Sequence, residues 1–269
     1  MNTFILPFWK KIGTSSSIIA KRVSEKLNLP TSHTGTLDPM AEGVVKIIVG
    51  EDSKNKEKFI SENKTYNFKI IFGISTDTHD ALGLIDKILT DVPYLEKEYI
   101  SNSLKTFVGP YHQKYPNYSS KKVNGKSLWE YERLGLPVPE VFIDGEIKKI
   151  DFIDFDKISG RDMIEKIISQ IGSIKGNFRQ KEILDKYQEI YTNEYFQYIE
   201  LNVVMTRGLY VRGFARDLGI KLNIPCMILD LVRLEDGTTS KEDCLHPEDY
   251  FKEEILKNQN FLFPDFKKL

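Results

Sequence analysis

Cysteine is scarce. The 269-residue chain has two, Cys226 and Cys244, and neither sits in C-x-x-C spacing. They offer no disulfide framework and no zinc site, so a reducing, cytoplasmic setting is the expectation. No run of about 18 apolar residues is present, which excludes a membrane-spanning helix. The opening MNTFILPFWKK has a short apolar stretch followed, not preceded, by charge, the reverse of a signal peptide. A G-x-G-x-x-G or G-x-x-x-x-G-K-[ST] loop is missing, which argues against a Rossmann or P-loop nucleotide site. There is no internal repeat and no low-complexity linker. Excess charge of either sign is also missing: 38 Lys+Arg face 39 Asp+Glu, a net of −1. Taken alone, that balance argues against a nucleic-acid binder. What is there is ordinary globular composition, 41% hydrophobic and 29% charged, which excludes disordered, collagen-like and coiled-coil chains. The length suits one large domain or two small ones.

Periodicity predicts a mixture of helices and strands. Ile19, Val23 and Leu27 recur at i, i+4, i+8 behind a Thr14 or Ser15 cap, which predicts a helix over 15–28 ended by Pro30. Tyr66, Phe68, Ile70, Phe72 and Ile74 alternate, predicting a half-buried strand over 66–74 closed by the polar loop STDTHD. Ser159 caps a stripe of Met163, Ile164, Ile167, Ile168 and Ile171, an amphipathic helix over 159–171. Further helices are expected over 93–107, 180–190 and 212–222. Strands are expected over 195–204, running into a turn at Gly208, and over 226–234. Residues 110–126 are polar and Tyr-rich and read as loop; the tail after Glu235 reads as acidic, with short helices. Periodicity alone supports α/β or α+β and no more.

The densest polar cluster is His33-Thr34-Gly35-Thr36-Leu37-Asp38-Pro39. In isolation it reads as a turn with a capping Asp. Its continuation and three downstream blocks change that. The first block runs HTGTLDPMAEGVV and on to Gly50–Lys54. The second is Lys64-Thr65-Tyr66 leading into GISTDTHDALG. The third is Gln113 through Gly125, QKYPNYSSKKVNG, with Tyr131 and Arg133-Leu134-Gly135. The fourth is Arg207-Gly208-Leu209-Tyr210-Val211-Arg212 with Asp217-Leu218-Gly219. Leu231-Val232-Arg233-Leu234 and the early WKKIGTSS add weaker matches. In this order and spacing, from residue 10 to 234, they resemble the TruB family of tRNA pseudouridine synthases. No single block would suffice.

The resemblance implies an isomerase that cleaves the N1–C1′ bond of uridine 55 in the tRNA T-loop, turns the base and rejoins it through C5. It implies a pseudouridine synthase fold of α/β (α+β) class: a central, mostly antiparallel mixed sheet, flanking helices and a thumb-like loop near 110–136. It assigns the catalytic carboxylate to Asp38. Burial would raise the pKa of such a group, so a cation must offset it; the match gives Arg212, always charged and bidentate. Tyr66 is implied to stack on the base and to take the C5 proton, with Tyr210 and Leu231 lining the base pocket. His33 matches a residue that stacks beneath flipped bases. Asp80 matches a supporting loop Asp, whereas His79 reads as a solvated loop residue. Lys10, Lys64, Lys122 and Arg233, with Lys121 and Lys126, are candidate phosphate contacts. Tyr115 and Tyr118, interleaved with those lysines, strengthen the nucleic-acid reading. No metal and no cofactor are implied. The partner expected is the tRNA T-arm, with no membrane, no obligatory protein partner and a monomeric state.

Departures from the family pattern are Lys11 for Pro, Ser32 for Gly, Tyr115 for Pro, Ser120 for Ala and Leu82 for a polar residue. The expected layout is a catalytic domain over 1–234, a helical insertion near 159–190 and a short acidic tail over 235–269 in place of a C-terminal PUA domain. The insertion carries Gly176-Asn177-Phe178-Arg179-Gln180, a segment with no evident role in the sequence. Rival readings are a non-catalytic tRNA-folding chaperone, the same chemistry on another RNA, and a two-carboxylate hydrolase using Asp38 with Asp80 or Asp217. The balanced net charge conceals local bias: 114–126 holds four Lys and no acid, and 205–216 holds three Arg and no acid.

Overall fold

A computed structural model describes residues 3–61, 63–89, 92–190 and 195–252. In chain order its elements begin with β1 (Phe4–Lys10), α1 (Ser16–Leu27), β2 (Thr31–His33), β3 (Ala41–Val49), β4 (Asn63–Phe72), β5 (Ile74–Thr76) and β6 (Ile85–Ile88). Then come α2 (Lys97–Lys105), β7 (Gly109–Lys114), β8 (Lys122–Val123), β9 (Lys126–Ser127), α3 (Leu128–Arg133) and β10 (Phe142–Ser159). The last are α4 (Gly160–Ser173), α5 (Gln180–Gln188), β11 (Tyr195–Thr206), α6 (Val211–Leu222), β12 (Cys226–Asp236) and α7 (Pro247–Tyr250). The chain forms two compact units: residues 1–65 with 232–269, and residues 66–231. Strands β4 and β12 each pass through both.

The first unit is built on β3. Its run Val44-Val45-Lys46-Ile47-Ile48-Val49 is buried almost throughout, as a strand covered on both faces must be. β1 pairs antiparallel with it from Phe4↔Val49 to Lys10↔Gly43, and β2 from Thr31↔Val49 to His33↔Ile47. The order in this unit is β1-β3-β12-β4, with β2 added to β3. Gly43 sits at φ +124°, and a Cβ there would overlap the backbone of Arg233. Only glycine lets β3 and β12 approach so closely. In α1, Ser15 caps as expected, accepting from the Ser17 amide at 3.2 Å, while Ile19 and Val23 are buried. The described part of the tail packs on β1, with Tyr250 5.1 Å and Phe251 6.1 Å, ring to ring, from Phe8. The expected tail helices beyond residue 252 lie outside the described residues.

In the second unit the order is β12-β4-β11-β10-β7. β4 alternates as predicted, with Tyr66, Phe68, Ile70 and Phe72 buried, although it ends at Phe72 and, after Gly73, Ile74 begins β5. β10 and β11 pair antiparallel from Ile147↔Met205 to Ser159↔Tyr195 across two bulges. The expected loop over 110–126 is corrected in part: Gly109–Lys114 is a strand, paired with Phe142–Ile147 of β10. Its polar side chains hid it, because an edge strand need bury only one face. From Tyr115 the chain does leave the sheet. β8 and β9 then form a short hairpin turned by Asn124 and Gly125 at φ +48° and +83°, the left-handed pair that a two-residue hairpin requires. The hairpin presents Lys121, Lys122 and Lys126 to solvent. α4 buries Met163, Ile164, Ile167 and Ile171, and α5 buries Ile183 and Tyr187. The Tyr187 hydroxyl lies 3.4 Å from the Met227 sulfur of β12. The 159–190 stretch is therefore part of this unit's core and no loose appendage.

Candidate active site

In the first unit the loop from Thr34 to Pro39, beyond the end of β2, lacks regular structure, so its backbone groups need other partners. Some find them in backbone, as when the Thr34 amide donates to the Lys46 carbonyl at 3.1 Å and the Pro39 carbonyl accepts from the Gly13 amide at 3.0 Å, and others in buried side chains. Lys10, fully buried at the end of β1, donates from Nζ to the carbonyls of Asp38 at 3.1 Å and Ala41 at 2.5 Å. Arg233 of β12, 1% exposed, donates from Nε to the Val44 carbonyl at 2.7 Å and from Nη2 to the Gly35 carbonyl at 3.2 Å. The Leu37 amide donates to Ser16 Oγ at 3.2 Å. Asp38 is half-buried in this cage.

An ion cluster sits beside it. Asp236, fully buried, lies 3.4 Å from Lys46 Nζ and 3.5 Å from Lys64 Nζ, and accepts from Thr34 Oγ1 at 3.1 Å. Burial alone would raise the Asp236 carboxyl; Arg233, Lys64 and Lys46 outweigh it and hold the group below the usual carboxylate range. Lys10 shows the opposite balance. Burial pushes it down to about 8, against a partial upward pull from Asp38. His33, in β2, is likewise pushed down, by burial and then by Lys56 and Arg233. Its ring is therefore neutral near pH 7, a flat aromatic face.

These placements correct part of the sequence reading. Lys10, Lys64 and Arg233 were expected as phosphate contacts, yet all three are buried and committed to internal partners. Sequence shows a cation but not which way it faces. Lys46 and Asp236 were missed altogether. The available signal was a lone lysine inside Val44-Val45-Lys46-Ile47-Ile48, which demands a buried acid somewhere.

In the second unit, Arg212 lies in the first turn of α6 and is 4% exposed. Its Nη1 donates to the Thr78 carbonyl at 3.0 Å, its Nη2 to the Tyr118 carbonyl at 3.1 Å, and its Nε lies 3.7 Å from Asp80 Oδ2. Asp80 in turn accepts from Thr78 Oγ1 at 2.6 Å and from the Leu82 amide at 3.0 Å. The Asp80 carboxylate thus ties Thr78 to Leu82 within the loop and faces Arg212. Tyr210, the N-cap of α6, is held by its backbone. Gln113 Oε1 accepts from its amide at 2.8 Å and Gln113 Nε2 donates to its carbonyl at 2.9 Å. The Tyr210 ring meets Tyr115 at 5.6 Å. Tyr66 and Leu231 are both buried, on β4 and β12. His79 is not the solvated residue expected: it is half-buried at φ +63°, and burial, then Arg216 and Arg212, push it down to about 4. It lines a cleft of about 330 Å³ with Asp77, Asp86, Lys114, Asn117, Glu132 and Arg216. Among the described residues no cluster of His, Cys, Asp and Glu could hold a metal ion.

With this geometry in hand, comparison with known proteins is decisive on family. The model of the N-terminal domain of TruB family pseudouridylate synthases matches residues 26–172, more than half of the chain. The chain belongs to the TruB family. This TruB chain is 33% identical over 238 residues to the tRNA pseudouridine synthase B of Ligilactobacillus salivarius (strain UCC118), covering 87% of the chain and 67% of that protein. It is 28% identical over 257 residues to the enzyme of the same name from Clostridium perfringens (strain 13 / Type A), covering 94% and 74%. A tRNA pseudouridine synthase 4 from Schizosaccharomyces pombe (strain 972 / ATCC 24843) is 28% identical over 282 residues, covering 83% and 69%. Among solved structures, a chain of a Cbf5-Nop10-Gar1 complex superposes with a TM-score of 0.57 at 15% identity, over 91% of the TruB chain and 52% of its own length. That likeness concerns the fold, and the TruB chain spans about half the length of that structure's chain.

Proposed function

We propose that the chain converts uridine to pseudouridine at position 55 in the T-loop of tRNA. The observation that carries this reading is the family match together with Asp38, Tyr66 and Arg212 at the motif positions. Asp38 acts as the carboxylate that attacks or ion-pairs with the cleaved nucleotide. The loop that bears it is held by Lys10 and Arg233 through backbone carbonyls, which supports a preorganised rather than a wandering carboxylate. Tyr66 stacks on the base and takes the C5 proton, Arg212 supplies the positive charge that the motif sets beside the reaction, and Tyr210 and Leu231 line the base pocket. The neutral ring of His33 suits stacking under flipped bases.

Of the proposed phosphate contacts, the solvent-facing Lys121, Lys122 and Lys126 of the β8–β9 hairpin are retained. They implicate residues 110–136 in gripping the T-arm. The chain works as a monomer in the cytoplasm, without a cofactor and without an obligatory protein partner. Residues 1–234 make up the catalytic domain of this reading.

The test is turnover on a uridine-labelled tRNA transcript. Pseudouridine should form at position 55 with the wild-type chain and fall below detection with Asp38→Asn, while tRNA affinity changes little. Tight binding without product from either protein would instead indicate a folding chaperone, and release of free uracil a glycosidase.

A further inference from the structure

The turn Gly176–Gln180 joins the two helices of the 159–190 stretch, and it is built to present one side chain. Gln180 Nε2 donates to the Gly176 carbonyl at 2.7 Å, and its Oε1 accepts from the Phe178 amide at 2.8 Å. Gly176 adopts φ +110°, and Arg179 itself sits in the left-handed region at φ +63°, an unusual state for a non-glycine residue. The Arg179 carbonyl begins α5 by accepting from the Ile183 amide at 3.0 Å. The guanidinium leaves this braced turn and forks onto Asp77, Nη1 to Oδ2 at 2.7 Å and Nη2 to Oδ1 at 3.2 Å. The guanidinium carbon also lies 4.9 Å from the centre of the Tyr118 ring. Tyr118 completes the triangle, its hydroxyl donating to Asp77 Oδ2 at 3.1 Å. Burial and then the Asp77 charge push that phenol up to about 12, so it stays a donor at neutral pH.

Asp77 and Tyr118 are not arbitrary partners. The residue after Asp77 is Thr78, whose carbonyl accepts from Arg212 Nη1, and the carbonyl of Tyr118 itself accepts from Arg212 Nη2. Both carbonyls that orient Arg212 thus belong to short segments pinned by one arginine on a different element. Asp77 Oδ1 further accepts from the Leu84 amide at 2.9 Å, closing the 77–84 loop.

We propose that Arg179 is a positioning residue for Arg212: it locks the Asp77–Asp80 loop to the segment carrying Tyr118 and so fixes the two carbonyls that aim the Arg212 guanidinium. The inference rests on the proposed function for its consequence in catalysis, but not for the clamp itself. A bidentate, partly buried Arg–carboxylate pair with a cation–π contact is specific in geometry, and lysine cannot reproduce the fork. A misplacement of about 1 Å at a reacting group is worth up to roughly a hundredfold in rate.

The experiment uses the full chain and tRNA transcript in two arms. In the first, single-turnover rate and tRNA Kd are measured for wild type, Arg179→Ala, Arg179→Lys, Asp77→Asn and the Arg179→Ala/Asp77→Asn pair. The rate should drop about tenfold to a hundredfold in Arg179→Ala and recover only in part in Arg179→Lys. The paired variant should be no slower than the worse single one, and Kd should change less than about threefold, in keeping with lost aim and not lost binding. A weakened Kd with an unchanged rate would make Arg179 a phosphate contact and overturn the proposal. So would a lowered Tm with normal turnover at low temperature. In the second arm, amide hydrogen exchange is compared for peptides spanning 77–84 and 116–124. Both should exchange faster in Arg179→Ala, and unaltered exchange overturns the clamp. If wild type forms no pseudouridine, the functional reading falls, while exchange still decides on the clamp.

Discussion

The two units hold their polar loops by different means. In the first, the His33–Pro39 loop is tied by buried cations, Lys10 and Arg233, backed by the fully buried Asp236 with Lys46 and Lys64. In the second, the Asp77–Leu84 loop is tied by one buried arginine, Arg212, and one partly exposed pair, Arg179–Asp77, whose side chains are 31% and 28% exposed. Ions sealed from water interact strongly but are ruinous to leave unpaired. A pair that water reaches is weak and screened by salt, yet can open and close at small cost. The first loop is thus held by ions sealed from water, and the second in part by a forked pair that water reaches.

The largest expected effect breaks the first arrangement. Asp236→Asn removes the carboxylate that lies against the buried Lys46 and Lys64, leaving both cations without it. Unfolding in urea should show a loss of about 3–5 kcal/mol; a loss under about 1 kcal/mol would mean that the cluster is hydrated and that the contrast is false. The second arrangement should be far less costly to cut. Arg179→Gln should lower stability by only about 0.2–1 kcal/mol. Raising ionic strength from about 0.15 M to about 1 M should shrink that difference further; a difference that persists in high salt would place the pair with the buried ions.

The last test reads a slope against pH. Lys10 titrates near 8 in the folded chain against 10.5 ordinarily, whereas Arg212 keeps its charge at any accessible pH. Between those two values the unfolded chain binds more protons than the folded one at Lys10. Its contribution to stability therefore rises with pH across that window. Lys10→Met should show a shallower or more negative slope of unfolding free energy there than wild type does. Equal slopes would show that Lys10 stays charged throughout.

How much of this was legible in the sequence varies with burial. The alternation of Tyr66 to Phe72 and the stripe Met163–Ile171 were plain, because one buried face against one wet face leaves a periodic mark. β10 was not. It extends for 18 residues with Ile147 its one buried position, and charged residues are interspersed among apolar ones along much of the rest. β1 passed for a mere apolar opening. The motifs single out Asp38 and Arg212 as candidates, but the partners that hold their loops come from distant parts of the chain. Asp236 looked like the start of an acidic tail and is instead the last residue of a strand. Arg179 offered no pattern at all, since its meaning lies in a left-handed turn aimed at residue 77, about a hundred positions earlier.

The discontinuity of the first unit has a consequence for how the protein is made. Residues 66–231 form one uninterrupted compact unit, while residues 1–65 share theirs with 232 onward. Thr34 emerges from the ribosome 202 residues ahead of its partner Asp236. At ordinary rates of synthesis that is a wait of roughly 10–40 s. The inner unit receives its last residue, Leu231, only five positions before Asp236, and through the whole interval Lys46 and Lys64 lack the Asp236 carboxylate that they face in the folded chain. The motif residue Asp38 therefore lies in a segment that is translated well before β12, the strand that completes its unit.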